Sequence, residues 1–405
     1  MEAAAVELTM WSLNKFVLVV GLLFLPKMAL ADLQNGYDWQ WGGFVTQGWS
    51  ISDRNNFFGR SSGSHGAFSF RELGLNATVQ LTSEVSVNGQ LLSRWAGEVD
   101  KGGADVDYLF ADWSWLQQES VQAGFRIGRI KNPIGFYNDT RDVAFTRPSA
   151  LLPQSIYQDR VRELLLSSDG VAAYFNSGYE NGNLLLDLQL GKPQVGKNSE
   201  LSLLGRDWDG KYQDAELKLA RVLYEHDGGK YRLGLTLVDA ESDFDGKGSD
   251  PFQSGAVEIF FIGYSAQYNQ EYFSLTAEYV EETVKRKDFN GVYSNPENTV
   301  EAFYLQADFR LKHRWTLFAR YDEVIADRDD KDGGRYRLST GLPAHQRFAK
   351  DWAIGVGHQY SPSLLLRGEF HHVDGTAWLP SLDNPNPSVL KRDWNLFLFQ
   401  ASYRF

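Results

Sequence analysis

The sequence predicts an all-β chain: a closed, antiparallel, transmembrane barrel of about sixteen strands, with short turns at one end and long loops at the other. Three observations carry this. The last strand, at 395–405, reads NLFLFQASYRF and sets Phe397, Phe399, Ala401, Tyr403 and Phe405 on one face, because side chains alternate along a strand. From Tyr37 onward similar alternation recurs with almost no helical period between segments, which argues against βαβ folds. The connections alternate between short and long along the whole chain, as in a barrel whose turns and loops sort to opposite ends.

The 405 residues include no cysteine, 38 glycines and 14% aromatics, with a formal charge of -12. Disulfides and thiolate metal sites are thereby excluded, and the negative balance argues against a nucleic-acid partner, which needs a basic patch. Residues 16–25, FVLVVGLLFL, form the one long apolar run, too short to cross a hydrocarbon core of ~30 Å as a helix. Lys15 precedes it, and Ala29, Leu30 and Ala31 follow as a small-residue cleavage pattern. Residues 1–31 therefore read as a secretory signal peptide and 32–405 as the barrel domain. Glu2 and Glu7 are unusual in such a leader, and Met10 is an alternative start.

The first strand, at 37–49, is rich in Trp and Gly. In the second, at 70–81, Leu73, Leu75, Ala77, Val79 and Leu81 alternate with Glu72, Asn76, Thr78 and Gln80. The third, at 85–95, sets Val85, Val87 and Leu91 against Asn88, Gln90 and Arg94, and the fourth covers 108–116. In the fifth, Val121, Ala123, Phe125 and Ile127 oppose Gln122 and Arg126. Later segments repeat the pattern, as with Leu184, Leu186, Leu188 and Leu190, or Phe303, Leu305, Ala307, Phe309 and Leu311. Such strands keep one face in an apolar medium and the other in a polar one. Short turns are expected at 82–84, 117–120, 269–271, 312–314 and 361–363. Long loops are expected near 50–68, 96–106, 131–168, 191–213, 240–254, 284–300, 324–350 and 375–392.

The polar faces carry Arg94, Arg126, Lys218, Arg232, Arg320 and Arg367 beside Glu72, Asp112, Asp187, Glu278, Asp308, Asp322 and Glu369. Charges in such number are expected to face water, because each unpaired one in a packed core costs several kcal/mol. A barrel of about sixteen strands is wide enough to enclose an aqueous channel. The third long loop, at 131–168, is too apolar for solvated filler: it holds Ile134, Phe136, Tyr137, Leu151, Leu152, Ile156 and Tyr157. Such a loop should pack against something, and inside the lumen it would narrow the pore. Its charges are Lys131, Arg141, Arg147, Arg160 and Arg162 beside Asp139, Asp142, Asp159 and Glu163, with Arg94 and Arg126 on the adjoining wall. With Glu72 and Asp112, these are the candidate constriction and lumen residues. Opposed rows of charge would set a transverse field across the constriction; paired, they would pin the loop.

Two stretches resemble a known family. The ending, with Phe397, Phe399, Tyr403 and a final Phe405, resembles the C-terminal signature of bacterial outer-membrane proteins. The run GRIKNPIGFYNDTRDVAFTRP at 128–148 is similar to the third loop of Gram-negative porins, including those related to phosphate-selective ones. The resemblance implies an inward-folded third loop, a homotrimer, and a setting of outer-membrane lipid and lipopolysaccharide. It implies that the four terminal aromatics are read by the barrel-assembly machinery. It also implies passive diffusion of small hydrophilic solutes and ions, with no catalysis and no cofactor. The lysine-rich ladder of phosphate-selective porins has no match here, so phosphate specificity is not implied. A substrate-specific, saturable channel, anion-selective or not, and a barrel hydrolase are the alternatives.

Other constellations are weaker. The acidic loops at 239–250 and 327–332 fit no complete EF-hand spacing, and solvated acidic loops are the simpler reading, with no metal site. His371 and His372 are adjacent and point to opposite faces of a strand. GxSxG, HExxH and Walker motifs do not occur.

Overall fold

A computed structural model describes residues 38–405 apart from 294 and 295; the leader at 1–31 and the alternative start at Met10 lie outside the described residues. Sixteen antiparallel strands form one sheet that closes on itself. The first eight are β1 (Asp38–Ser52), β2 (Ala67–Gln80), β3 (Val85–Ala96), β4 (Asp100–Gln117), β5 (Val121–Lys131), β6 (Ser167–Tyr179), β7 (Gly182–Pro193) and β8 (Lys211–His226). The second eight are β9 (Tyr231–Asp245), β10 (Ser254–Asn269), β11 (Phe273–Lys287), β12 (Glu297–Arg310), β13 (Trp315–Ile325), β14 (Phe348–Gln359), β15 (Leu364–Gly375) and β16 (Asp393–Arg404). The seam pairs β1 with β16, from Phe44 opposite Arg404 to Ser52 opposite Leu396. Across it the hydroxyls of Thr46 and Ser402, 356 positions apart, hydrogen-bond at 2.9 Å. Closure removes both sheet edges, the condition for carrying strands through hydrocarbon.

The two faces of the wall separate as the alternation predicts. Leu75, Ile127, Leu190, Ile354 and Phe399 point outward and stay 43–63% exposed, an apolar belt with no partner but lipid. Phe397 and Phe405 join Phe399 on that face. No helix among the described residues is long and apolar enough to cross a membrane.

Three expectations need correction. The polar stretch at 96–106 is not a long loop: only Gly97, Glu98 and Val99 join β3 to β4, and Lys101 and Asp105 pair in register with Trp95 and Leu92. A strand projecting beyond the bilayer needs no apolar face, so its composition reads as loop. Lys218 does not face the lumen. Its neighbours Leu217 and Leu219 are buried inside, while Lys218 points outward and pairs with Asp239 at 3.4 Å. Leucine inward is the stable arrangement here because Leu217 and Leu219 join the core, while the outward charge is offset by its pairing with Asp239. The third correction concerns water. Glu72, Arg94, Glu278, Arg320, Asp322, Arg367 and Glu369 lie inside the barrel but are at most 6% exposed, because the third loop covers them.

That loop, at 132–166, folds into the barrel and supplies Ile134, Phe136, Tyr137, Leu151, Leu152, Ile156 and Tyr157 to the main core. Opposite them stand Val238, Phe261, Val280, Ala302, Val324, Ala349, Val373, Leu396 and Leu398 from the inner wall of β9–β16. Phe57 and Phe58 from the first loop and Trp378 from the last close the cluster from the loop end. A smaller cluster of Leu204, Phe244, Phe252, Val257, Val284 and Phe289 packs three further loops together.

Candidate functional site

Loop 3 leaves β5 at Lys131 and turns at Gly135, whose φ of +58° lies in the left-handed region. A Cβ there would collide with the Tyr157 hydroxyl and the Glu278 carboxylate, so glycine is required for the close approach. Glu278 of β11 then fastens the turn, accepting from the Phe136 amide at 3.1 Å and the Tyr157 hydroxyl at 2.5 Å, and from Tyr304 of the wall at 2.7 Å. Further on, the loop reaches the opposite wall: the Ala150 and Leu151 amides donate to Glu369 of β15, and Arg320 of β13 donates to the Leu151 carbonyl at 3.0 Å. The loop therefore crosses the lumen rather than lying along one side of it.

Its charges are mostly spent on anchoring. Arg94 of β3 bridges Glu72 at 3.2 Å and loop residue Asp159 at 2.9 Å, and Arg141 reaches the same Asp159 at 3.3 Å. Asp142 accepts from Lys131 at 2.5 Å and from Arg162. Arg147 donates to the Ala150 carbonyl within the loop, and its own carbonyl accepts from Arg367 of the wall. Burial pushes the Arg141 guanidinium down to about 10, with Asp159 opposing the fall. Burial, with Arg94 and Arg141 nearby, also lowers Arg162, and it pushes the Tyr157 phenol up beside Glu278. Of the sequence candidates, then, Glu72, Arg94, Arg141, Arg147 and Arg162 sit inside the barrel as buried loop anchors.

A second group lines open space. Between loop 3 and the wall of β3–β8 lies a cavity of about 280 Å³, lined by Asn88, Tyr108, Phe110, Arg126, Lys131, Asp139, Asp187, Gln189 and Arg221, among others. Arg126 pairs with Asp112 at 2.8 Å and lies 4.5 Å over the Tyr174 ring. Arg221 pairs with Asp187 at 2.8 Å and reaches Asp139 of the loop at 3.4 Å. Lys131 pairs with Asp107 at 2.5 Å. Charges of both signs meet at each point, so the cavity is bordered by local ion pairs rather than by two opposed rows. Arg126, Lys131 and Asp139 thus line this cavity, Asp112 stands behind Arg126 as its ion-pair partner, and Arg160 lies elsewhere, on the far side of the loop. Sequence reasoning missed Arg221, Tyr108 and Phe110. The signal for Arg221 was the parity of β8, once Leu217 and Leu219 are set inward. His371 is fully buried behind the loop, bonded to Asp351 at 2.7 Å, while His372 faces outward beside Asn395.

No family model and no curated protein sequence matches this chain. Solved structures do. The Vibrio cholerae outer membrane protein OmpT aligns over 91% of this chain and 98% of its own, with a TM-score of 0.56 at 11% identity. The outer membrane channel DcaP of Acinetobacter baumannii aligns over 92% of this chain and 98% of its own, with a TM-score of 0.53 at 11% identity. Salmonella typhi OmpF, solved in complex with daunomycin, aligns over 91% and 98%, with a TM-score of 0.53 at 12% identity. At these identities the likeness is one of fold. Taken with the closed sixteen-strand wall, its outward apolar belt and the inward third loop, it makes this chain an outer-membrane β-barrel with the fold of the Gram-negative porins.

Proposed function

We propose that the barrel is a porin: a passive channel through which small hydrophilic solutes and ions diffuse down their gradients. The observation that supports this best is the polar passage left beside loop 3, bordered by Arg126, Lys131, Asp139, Asp187 and Arg221. Loop 3 sets its width, and the paired charges let a solute exchange hydration for contacts of either sign. A substrate-specific, saturable channel is the second reading, favoured by the aromatic surfaces of Tyr108 and Phe110 beside Arg126. Planar-bilayer recording tests both. A stable ohmic conductance supports a pore, its saturation by one solute supports the second reading, and a silent folded barrel overturns both.

The assembly partners are part of the same proposal. One of the OmpT structures is of a trimer form, and a homotrimer is proposed here, to be checked by sedimentation in detergent. In the lipid setting, lipopolysaccharide would meet the charged outer rim around Lys218 and Asp239; depleting it from reconstituted membranes should lower the melting point. Phe397, Phe399, Tyr403 and Phe405 form the proposed assembly signal. Deleting Phe405 should slow the appearance of the heat-modifiable folded band, and an unchanged rate counts against it.

A further inference from the structure

Loop 3 separates two spaces. On the side away from the passage lies a more enclosed chamber of about 100 Å³. Asn138 faces this chamber while its neighbour Asp139 faces the passage. Three guanidiniums line the chamber: Arg160 from loop 3, Arg286 from the end of β11, and Arg347 just before β14. The lining carries a single carboxylate, Glu282 of β11.

Each arginine is held in place by neutral acceptors. Arg160 donates to the Gln158 side chain at 2.7 Å and to the Ala377 carbonyl. Arg286 donates to the Leu203 carbonyl at 2.9 Å and to the Asn298 side chain at 2.8 Å, and lies 5.4 Å over the Tyr293 ring. Arg347 donates to the Ala326 carbonyl at 3.2 Å and lies 5.2 Å over the Tyr336 ring. Among the described residues none of the three makes an ion pair, and Arg160 Nη2, Arg286 Nη2, Arg347 Nε and Arg347 Nη1 have no protein acceptor. The helix α1 (Lys197–Leu204) of the fourth loop caps the chamber: Asn198 and Ser202 donate to the Arg160 carbonyl. Burial pushes the Arg160 guanidinium down to about 10, with Glu282 opposing and Arg347 adding to the fall.

Three cations around one carboxylate leave two positive charges without a protein partner in a half-closed space, which is unfavourable unless an anion fills it. We propose that this chamber binds a compact tetrahedral oxyanion of charge minus two, such as sulfate or hydrogen phosphate, which ties loop 3 to the β11–β14 wall. Guanidinium forks match the oxygen geometry of such ions. The site lies off the passage, so the ligand acts on the loop rather than as the permeating solute. It rests on the inward position of loop 3 and not on conduction, so a silent barrel would leave it standing.

The test is calorimetric titration of the detergent-folded barrel with sodium sulfate at fixed ionic strength, each variant's folding being checked by heat-modifiable gel mobility. The wild type should show one saturable site per barrel. Arg347→Gln should weaken it about tenfold or more, the worth of one hydrogen bond to a charged group. Glu282→Gln removes the only carboxylate in the lining and should tighten it, which keeps the test decisive if Arg347→Gln misfolds. Lys101→Gln, at an exposed site paired with Glu98, should change nothing. No saturable heat in the wild type overturns the proposal. So does an equal heat from sodium chloride, an equal loss in Arg347→Gln and Lys101→Gln, or weaker binding in Glu282→Gln.

Discussion

The two halves of the inner wall differ in what they ask of the third loop. On β9–β16 the wall presents Val238, Phe261, Val280, Val324, Val373 and Leu396, and the loop lays its own apolar residues over them. On β3–β8 it presents Asn88, Arg126, Asp187, Gln189 and Arg221, and the loop stands off. An apolar half-wall gains from cover at roughly 25 cal/mol per Å² removed from water, whereas a wall of ion pairs loses hydration if it is covered. The covered side also buries Glu278, Arg320, Arg367 and Glu369, each bonded to a loop group, so wall polarity biases where the loop lies and these anchors fix it.

The strongest way to break this comparison is to remove the cover. Deleting 139–154 should roughly double the single-channel conductance or more, since the constriction sets most of the resistance, and should admit larger solutes in liposome swelling. It should also lower the urea midpoint, because Leu151 and Leu152 leave the core and Glu369 and Arg320 lose their loop partners. Unchanged conductance would mean that the wall alone sets the resistance.

Next in size is the anchor at Glu278. Glu278→Ala leaves the Phe136 amide and the Tyr157 and Tyr304 hydroxyls without their acceptor. It should cost about 3 kcal/mol in urea unfolding and raise open-channel current noise. A quiet channel of wild-type stability would show that the loop is held elsewhere.

The pair Leu219 and Lys218 sharpens where the apolar half begins. Leu219→Ala should cost about 2–3 kcal/mol as a core truncation. Lys218→Ala loses only an exposed ion pair with Asp239 and should cost under about 1 kcal/mol. The reverse order would restore Lys218 to the lumen.

The smallest effect is expected on the polar side. Arg126→Ala with Arg221→Ala removes two cations from the passage and should shift the reversal potential toward cations in a salt gradient. The shift should shrink as the screening length falls from about 10 Å at 0.1 M salt to about 3 Å at 1 M. A reversal potential that does not move would place selectivity outside this passage.

Much of the fold was legible because alternation is local. Leu73 to Leu81, or Phe303 to Leu311, state their faces within one strand, and the long connections after β5, β7, β13 and β15 are set by composition alone. Legibility failed where the medium changes along a strand. Leu217 and Leu219 look like lipid-facing residues, yet both are buried in the core inside the barrel. The stretch after Ala96 looks like a loop because its strand stands in water. The site was legible in type and not in role. Nothing near Arg94 or Arg141 says that each will meet Asp159, whereas Arg126 meets Asp112 across one hairpin. Contacts made across the lumen join residues whose sequence neighbourhoods are silent about one another.

The seam between Thr46 and Ser402 has a consequence in time. The first described strand takes the last one as its neighbour, so without residues 396–404 one row of β1 backbone donors and acceptors has no partner. Every shorter intermediate is an open sheet with two sticky margins, and bringing the ends together costs loop-closure entropy before any seam bond repays it. A truncation short of β16 is not a slightly weaker barrel but a sheet that cannot shut.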